Sequence, residues 1–214
     1  MLREIKACLF DMDGTLIDSM GLWEDIDIDF FEKYNIDMPS TFQKDIEGWS
    51  ILEIAEYVDK NFDFPLTKEQ MIDEWNDMAF EHYSKLVPYK EGAKEFLVWC
   101  KENGIKVGIA TSNSTKLFDA VSTHLDMHKY IDAYVTGEDV TCGKPNPECY
   151  LRVAEKLNVE PKECIVFEDL VLGLHAGNDA GMRTCAVKDA YSLYQDEDKH
   201  KEADYYIESF LEIL

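Results

Sequence analysis

From residue 87 onward, short apolar runs alternate with stretches of helical periodicity, and this alternation constrains the fold more than anything else in the chain. Apolar runs at 105–111, 134–135, 164–167, 184–187 and 203–207 interleave with helical patterns at 91–103, 114–126, 146–157 and 171–180. Strands alternating with helices of about 10 to 15 residues make a parallel, doubly wound α/β sheet, and right-handed crossovers put helices on both faces. One more strand opens the chain. Apolar residues at 5 and 7–10 read as a strand buried on both faces, and Gly14 gives the turn that ends it.

The stretch between that first strand and the second is different in kind. Residues 19–34 carry Met20, Leu22, Trp23, Ile26, Phe30, Phe31 and Tyr34 largely at helical spacing, with Ser19 as the expected N-cap. Further helices are expected at 40–46, 50–61 and 67–86, the last opened by a capping box of Thr67 and Gln70. No convincing strand occurs there. The expected organisation is a catalytic core of 1–16 and 85–214, with 17–84 inserted as an all-helical cap.

Polar side chains gather where strands end. Asp11 and Asp13 follow the first strand two residues apart, so both can project to one side. In open parallel sheets, ligands bind at the carboxyl ends of the strands. Two convergent carboxylates suit a hard cation such as Mg2+, or a nucleophile beside a general acid/base. The loop is not an EF-hand, because Thr15, Leu16 and Leu22 stand where a ligand, a glycine and a glutamate are needed. Thr111-Ser112-Asn113 closes the strand at 105–111, Glu168-Asp169 closes that at 164–167, and Gly143-Lys144-Pro145 lies between them. Each alone has a commoner structural explanation: helix capping, a surface turn, a solvated lysine. Gly143-Lys144 is not a Walker loop, since Glu138 and Pro145 occupy the positions of its first glycine and its hydroxyl residue.

Composition narrows the partners. A net charge of -23 repels phosphate backbones, so nucleic acid is not an expected partner, and an anionic substrate needs a locally positive site. With 46% hydrophobic and 12% aromatic residues over 214 positions, the chain can bury a large core. There is no apolar run of membrane-spanning length and no basic-then-apolar leader, so a cytoplasmic protein without a membrane partner is expected. The six scattered cysteines read as buried reduced thiols. The charged run at 196–202 reads as a solvated surface segment.

In this order and spacing, Asp11-Met-Asp13-Gly-Thr15, Ala110-Thr111-Ser112-Asn113, Gly143-Lys144-Pro145-Asn-Pro147 and Phe167-Glu168-Asp169, followed by Gly173 and Ala180-Gly181-Met182, resemble the haloacid dehalogenase superfamily. The narrower resemblance is to its beta-phosphoglucomutase-like branch. It spans essentially the whole chain. It implies a Rossmann-like core with the helical insertion as cap, and a Mg2+-dependent phosphatase acting on a small phosphorylated metabolite. By the same resemblance Asp11 is the nucleophile that becomes an aspartyl phosphate, and Asp13 is the general acid/base. Mg2+ is held by Asp11, the Asp13 carbonyl, Asp169 and Glu168, the last directly or through water. The phosphoryl group is bound by Lys144, Thr111, Ser112 and Asn113.

Asp13 favours phosphoryl transfer over carbon–halogen hydrolysis, since dehalogenating members lack that second acid. Leu170 replaces the branch's usual Ser or Thr after the Glu-Asp pair, which removes a secondary hydrogen bond. Trp23 and Ile51 stand where the branch's mutases carry a His and an Arg, so a phosphomutase is the alternative and a non-catalytic phosphate-binding module a third reading. Trp23 and Trp49 read as core of the helical segment, or as an aromatic lid; Lys44 and Lys85 are the remaining candidate cap cations. A monomer or weak homodimer is expected.

Overall fold

The computed structural model covers residues 1–214. Its strands are β1 (Ala7–Phe10), β2 (Lys106–Ala110), β3 (Ala133–Val135), β4 (Cys164–Glu168), β5 (Arg183–Val187) and β6 (Tyr205–Ile207). All pair in parallel in one sheet, in the order β3-β2-β1-β4-β5-β6. The first strand is therefore central, flanked by the two others whose ends carry polar motifs. Register makes those three ends level, because Phe10 lies opposite Ile109 on one side and Phe167 on the other. The Asp11 N–H continues the ladder to the Phe167 carbonyl at 3.0 Å.

Every residue of β1 is buried, as a strand covered on both faces requires. On one face Phe10 stacks on Phe167 at 4.9 Å, with Phe96 and Phe210 against both. On the other face Leu9 and Val166 pack with Tyr150 and Val153 of the helix Glu148–Leu157. Each such apolar side chain contributes about 1.5–3 kcal/mol when fully buried.

Helices α1 (Met20–Lys33), α2 (Phe42–Asp45), α3 (Ile51–Asn61) and α4 (Lys68–Lys85) come before the helix α5 (Ala93–Glu102) that leads into β2. Ser50 with Glu53 opens α3 through a reciprocal capping box, and Thr67 with Gln70 does the same for α4. Phe30, Phe64 and Trp75 pack together inside this segment, and α4 also packs on α6 (Thr115–His124). The remaining helices are α7 (Glu148–Leu157), α8 (Val171–Asp179) and α9 (Asp196–Glu202).

Three local expectations change. Residues 196–202 form the helix α9, and Lys199 within them is fully buried, with its Nζ 2.8 Å from Ser192 Oγ. Ser19 makes no capping bond to α1; its hydroxyl is drawn into the site described below. Five cysteines are buried thiols as expected, whereas Cys142 is exposed. No helix is long and apolar enough to cross a membrane.

Candidate active site

The ends of β1, β2 and β4 bring Asp11, Thr111-Ser112-Asn113 and Glu168-Asp169 together, and the loop before α7 carries Lys144 onto them. Lys144 is buried, and its Nζ lies 2.5 Å from both Asp11 Oδ1 and Glu168 Oε1 and 3.3 Å from the Ala110 carbonyl. Its ammonium sits 5.3 Å from the centre of the Tyr150 ring, and the Tyr150 hydroxyl donates to the same Glu168 oxygen at 2.6 Å. Burial works to lower the Lys144 pKa; the Asp11 and Glu168 carboxylates outweigh it, so Lys144 stays protonated. Burial pushes Asp11 up to about 8 against the pull of Lys144, with Glu168 and Asp13 adding to the rise. Asp169 is raised too, by burial and then by Asp11 and Glu168.

The acids are short of positive partners. Asp11, Glu168 and Asp169 each offer an oxygen within 4.8 Å of the others, with one ammonium among them. Asp169 takes a hydrogen bond from Thr15 Oγ1 at 3.1 Å on Oδ1, while its buried Oδ2 has no partner at all. An unsatisfied buried carboxylate oxygen needs an explanation, and a hard cation supplies one. Gly14 keeps the space beside it open: with φ +78°, a Cβ there would sit 2.4 Å from Asp169 Oδ2. Gly173 does the same for Glu168, whose carboxyl carbon would lie 1.9 Å from an added Cβ. Three carboxylates served by one ammonium make a hard oxygen donor set that fits a divalent ion such as Mg2+.

Asp13 stands apart from that cluster, held by neutral donors. Ser19 Oγ donates to Oδ1 at 2.5 Å, the Tyr83 hydroxyl donates to the same oxygen, and Asn113 Nδ2 donates to Oδ2 at 2.7 Å. Tyr83 in turn accepts from Trp23 Nε1 at 2.6 Å. Burial raises Asp13, and the bonds from Ser19, Tyr83 and Trp23 hold the rise back. Thr111 Oγ1 accepts from the Asn113 N–H at 3.1 Å, so this backbone donor is turned onto Thr111 rather than left open. The side chain of Asn113 likewise serves Asp13. Ser112 lines the cavity above the site.

Ser19, Tyr83, Tyr150 and Ser192 are site residues that sequence reasoning missed. Tyr83 falls on a helical face pattern like any core tyrosine, and Tyr150 does as well. Ser192 donates to the Asp169 carbonyl at 3.0 Å and accepts from Lys199, bracing the acid from beyond β5. The departure at Leu170 has a local remedy: Gln195 Oε1 accepts from the Val171 N–H at 2.8 Å, satisfying a donor of the first turn of α8. Trp23 and Trp49 are only partly buried against the core, and both line a cavity of about 570 Å3 between the strand ends and α1–α4. Lys44 lines it too, whereas Lys85 pairs with Glu81 at 3.1 Å.

The match to known proteins agrees with this geometry. Residues 8–187 match the family model for haloacid dehalogenase-like hydrolases. The chain is 30% identical over 191 residues to hexitol phosphatase B of Escherichia coli K12, covering 86% of this chain and 84% of that one. It is 34% identical over 178 residues to a phosphorylated carbohydrates phosphatase of Thermotoga maritima, covering 83% and 82%. Among solved structures, beta-phosphoglucomutase of Clostridium difficile superposes with a TM-score of 0.82 at 26% identity, over 98% of this chain and 93% of that one. The chain belongs to the haloacid dehalogenase-like hydrolases. Within that family it is an enzyme of the phosphatase type.

Proposed function

We propose that the chain is a Mg2+-dependent phosphatase of small phosphorylated metabolites, carbohydrate phosphates in particular, working through an aspartyl phosphate on Asp11. The observation that carries this reading is the buried pairing of Lys144 with Asp11 and Glu168, beside an Asp169 oxygen left without a partner. The carbohydrate phosphatases to which the chain is similar support the substrate class. Residues 17–84 would serve as the cap and 1–16 with 85–214 as the core.

In the first step a carboxylate oxygen of Asp11 forms a bond to phosphorus, the bond from phosphorus to the leaving oxygen breaks, and Asp13 gives that oxygen a proton. In the second, Asp13 takes a proton from water as its oxygen attacks phosphorus, and the bond to Asp11 breaks. Lys144 orients Asp11 and contributes positive charge to the phosphoryl oxygens, with Thr111 and Ser112 as further contacts. Asp11, the Asp13 carbonyl, Asp169 and Glu168 would hold Mg2+, which when bound supplies charge neutralisation at the phosphoryl group.

Excess chelator should abolish turnover of p-nitrophenyl phosphate, and thermal unfolding checks the site independently. Without metal the folded state keeps a proton on Asp11, raised to about 8, that the unfolded chain releases above about pH 4. Folded chains then bind more protons than unfolded ones, so this group's contribution to stability falls as pH rises through that window. Metal binding requires the proton to leave, so the Tm gain from saturating Mg2+ should be larger at pH 8 than at pH 5. Equal gains at both pH values would remove the cluster as the metal site. Lys144→Met should weaken competitive inhibition by inorganic phosphate by about 10- to 100-fold, the loss of one or two charge-assisted hydrogen bonds. Inhibition as strong as in the parent enzyme would end its assignment to phosphate.

A further inference from the structure

The upper part of the cavity is built from α1, α2, α4 and the segment after α2, and its polar groups are not those of the phosphoryl site. Asp27 on α1 is 7% exposed in the middle of a helical core, an expensive place for a carboxylate. One side chain bonds it: Gln43 Nε2 donates to Oδ2 at 2.7 Å. Trp75 on α4 is 3% exposed and its indole N–H has no acceptor. All three line the cavity that also contains Asp11 and Asp13. A buried acceptor with spare capacity and a buried donor with no partner, in the walls of one cavity, are what a hydroxyl-bearing ligand would complete. Burial pushes the Asp27 carboxyl up to about 7, so near neutrality it serves a hydroxyl as acceptor or donor.

Charge in the same walls restricts the ligand further. Lys44 is outnumbered there by Glu24 and Glu47 even with Asp27 protonated, which disfavours a second phosphate or carboxylate on the leaving group. We propose that Asp27, Gln43 and Trp75 form a leaving-group subsite that reads hydroxyls of an uncharged polyhydroxylated compound, so that the enzyme prefers its monophosphate to any bisphosphate. The proposal rests on the phosphatase reading above and adds to it the residues that choose the substrate.

The experiment compares kcat/KM for a hexitol 6-phosphate, glucose 1,6-bisphosphate and p-nitrophenyl phosphate in the parent enzyme and in Asp27→Asn and Trp75→Phe. Trp75→Phe removes a single N–H at nearly constant shape, and Asp27→Asn keeps a partner for Gln43. Each should lower the ratio of hexitol phosphate to p-nitrophenyl phosphate kcat/KM by about 3- to 10-fold, mainly through KM. The parent enzyme should turn over the hexitol phosphate faster than the bisphosphate at equal low concentration. Parallel losses on both monophosphates, unchanged ratios, or a preference for the bisphosphate overturn the subsite while p-nitrophenyl phosphate hydrolysis still upholds the phosphatase. A parent enzyme inert to all three with Mg2+ present overturns both.

Discussion

An Asp11→Asn variant is expected to fold, to bind inorganic phosphate at least as well as the parent, and to lose turnover of p-nitrophenyl phosphate by about 10,000-fold or more. The amide has the shape of the carboxylate but no charge with which to attack phosphorus. Without metal Asp11 already carries a proton up to about pH 8, so the neutral amide changes the charge of the site little there, while Lys144 keeps its bond to Glu168. In chelator the variant should therefore be no less stable than the parent, which separates loss of chemistry from loss of fold. Denaturing mass spectrometry of quenched reactions gives a second reading: a phosphoryl adduct on the parent chain that is absent from the variant. Activity near that of the parent would exclude a covalent aspartyl intermediate.

The parts of this site that were legible in the sequence are those attached to strand ends. An apolar run ending in Asp-x-Asp, Thr-Ser-Asn or Glu-Asp marks its own carboxyl terminus, and parallel strands in one sheet put those termini on one edge. Lys144 was legible by its place among the motifs, not from its surroundings, since a lone lysine between glycine and proline says nothing about burial. What the helices contribute was hidden. Helical periodicity separates a buried face from an exposed one, but Tyr83 and Asn76 share the buried face of α4 with Met71 and Ala79. Nothing local distinguishes the tyrosine that reaches Asp13, seventy residues away in sequence, from one that merely packs. Ser19 misled for a related reason. It sits at the start of α1 with the right side chain for a cap, yet its hydroxyl is turned to donate to Asp13 Oδ1, a charge-assisted bond, and its oxygen accepts no backbone N–H of the first turn. Lys199 was obscured by its charged neighbours, although its long stem lets a buried ammonium reach Ser192 from a helix that is otherwise solvated.

Asp13→Asn should lower kcat by about 100-fold or more on an alkyl phosphate, and by much less on p-nitrophenyl phosphate for the step that forms the phosphoenzyme. An alkoxide must be protonated as it leaves, whereas p-nitrophenolate leaves unaided. The hydrogen bonds around Asp13 show how it can carry that proton. Tyr83 Oη accepts from Trp23 Nε1 at 2.6 Å and from Asn113 Nδ2 at 3.2 Å, so its own hydrogen is committed to Asp13 Oδ1. Asn113 is fixed as a donor to Oδ2. Ser19 is different, since a hydroxyl can turn from donor to acceptor, and it faces Oδ1 at 2.5 Å. Asp13 can thus gain a proton on Oδ1 and find an acceptor for it at once, because one hydroxyl reverses while the bonds from Tyr83 and Asn113 stay in place. Asn at 13 keeps the shape but can neither give up a proton at Oδ1 nor take one from water, so hydrolysis of the phosphoenzyme should slow for every substrate. With p-nitrophenyl phosphate the variant should accordingly release one equivalent of p-nitrophenol in a burst and then turn over slowly. Without a burst, and with equal losses on alkyl and aryl substrates, Asp13 would be reduced to a structural carboxylate.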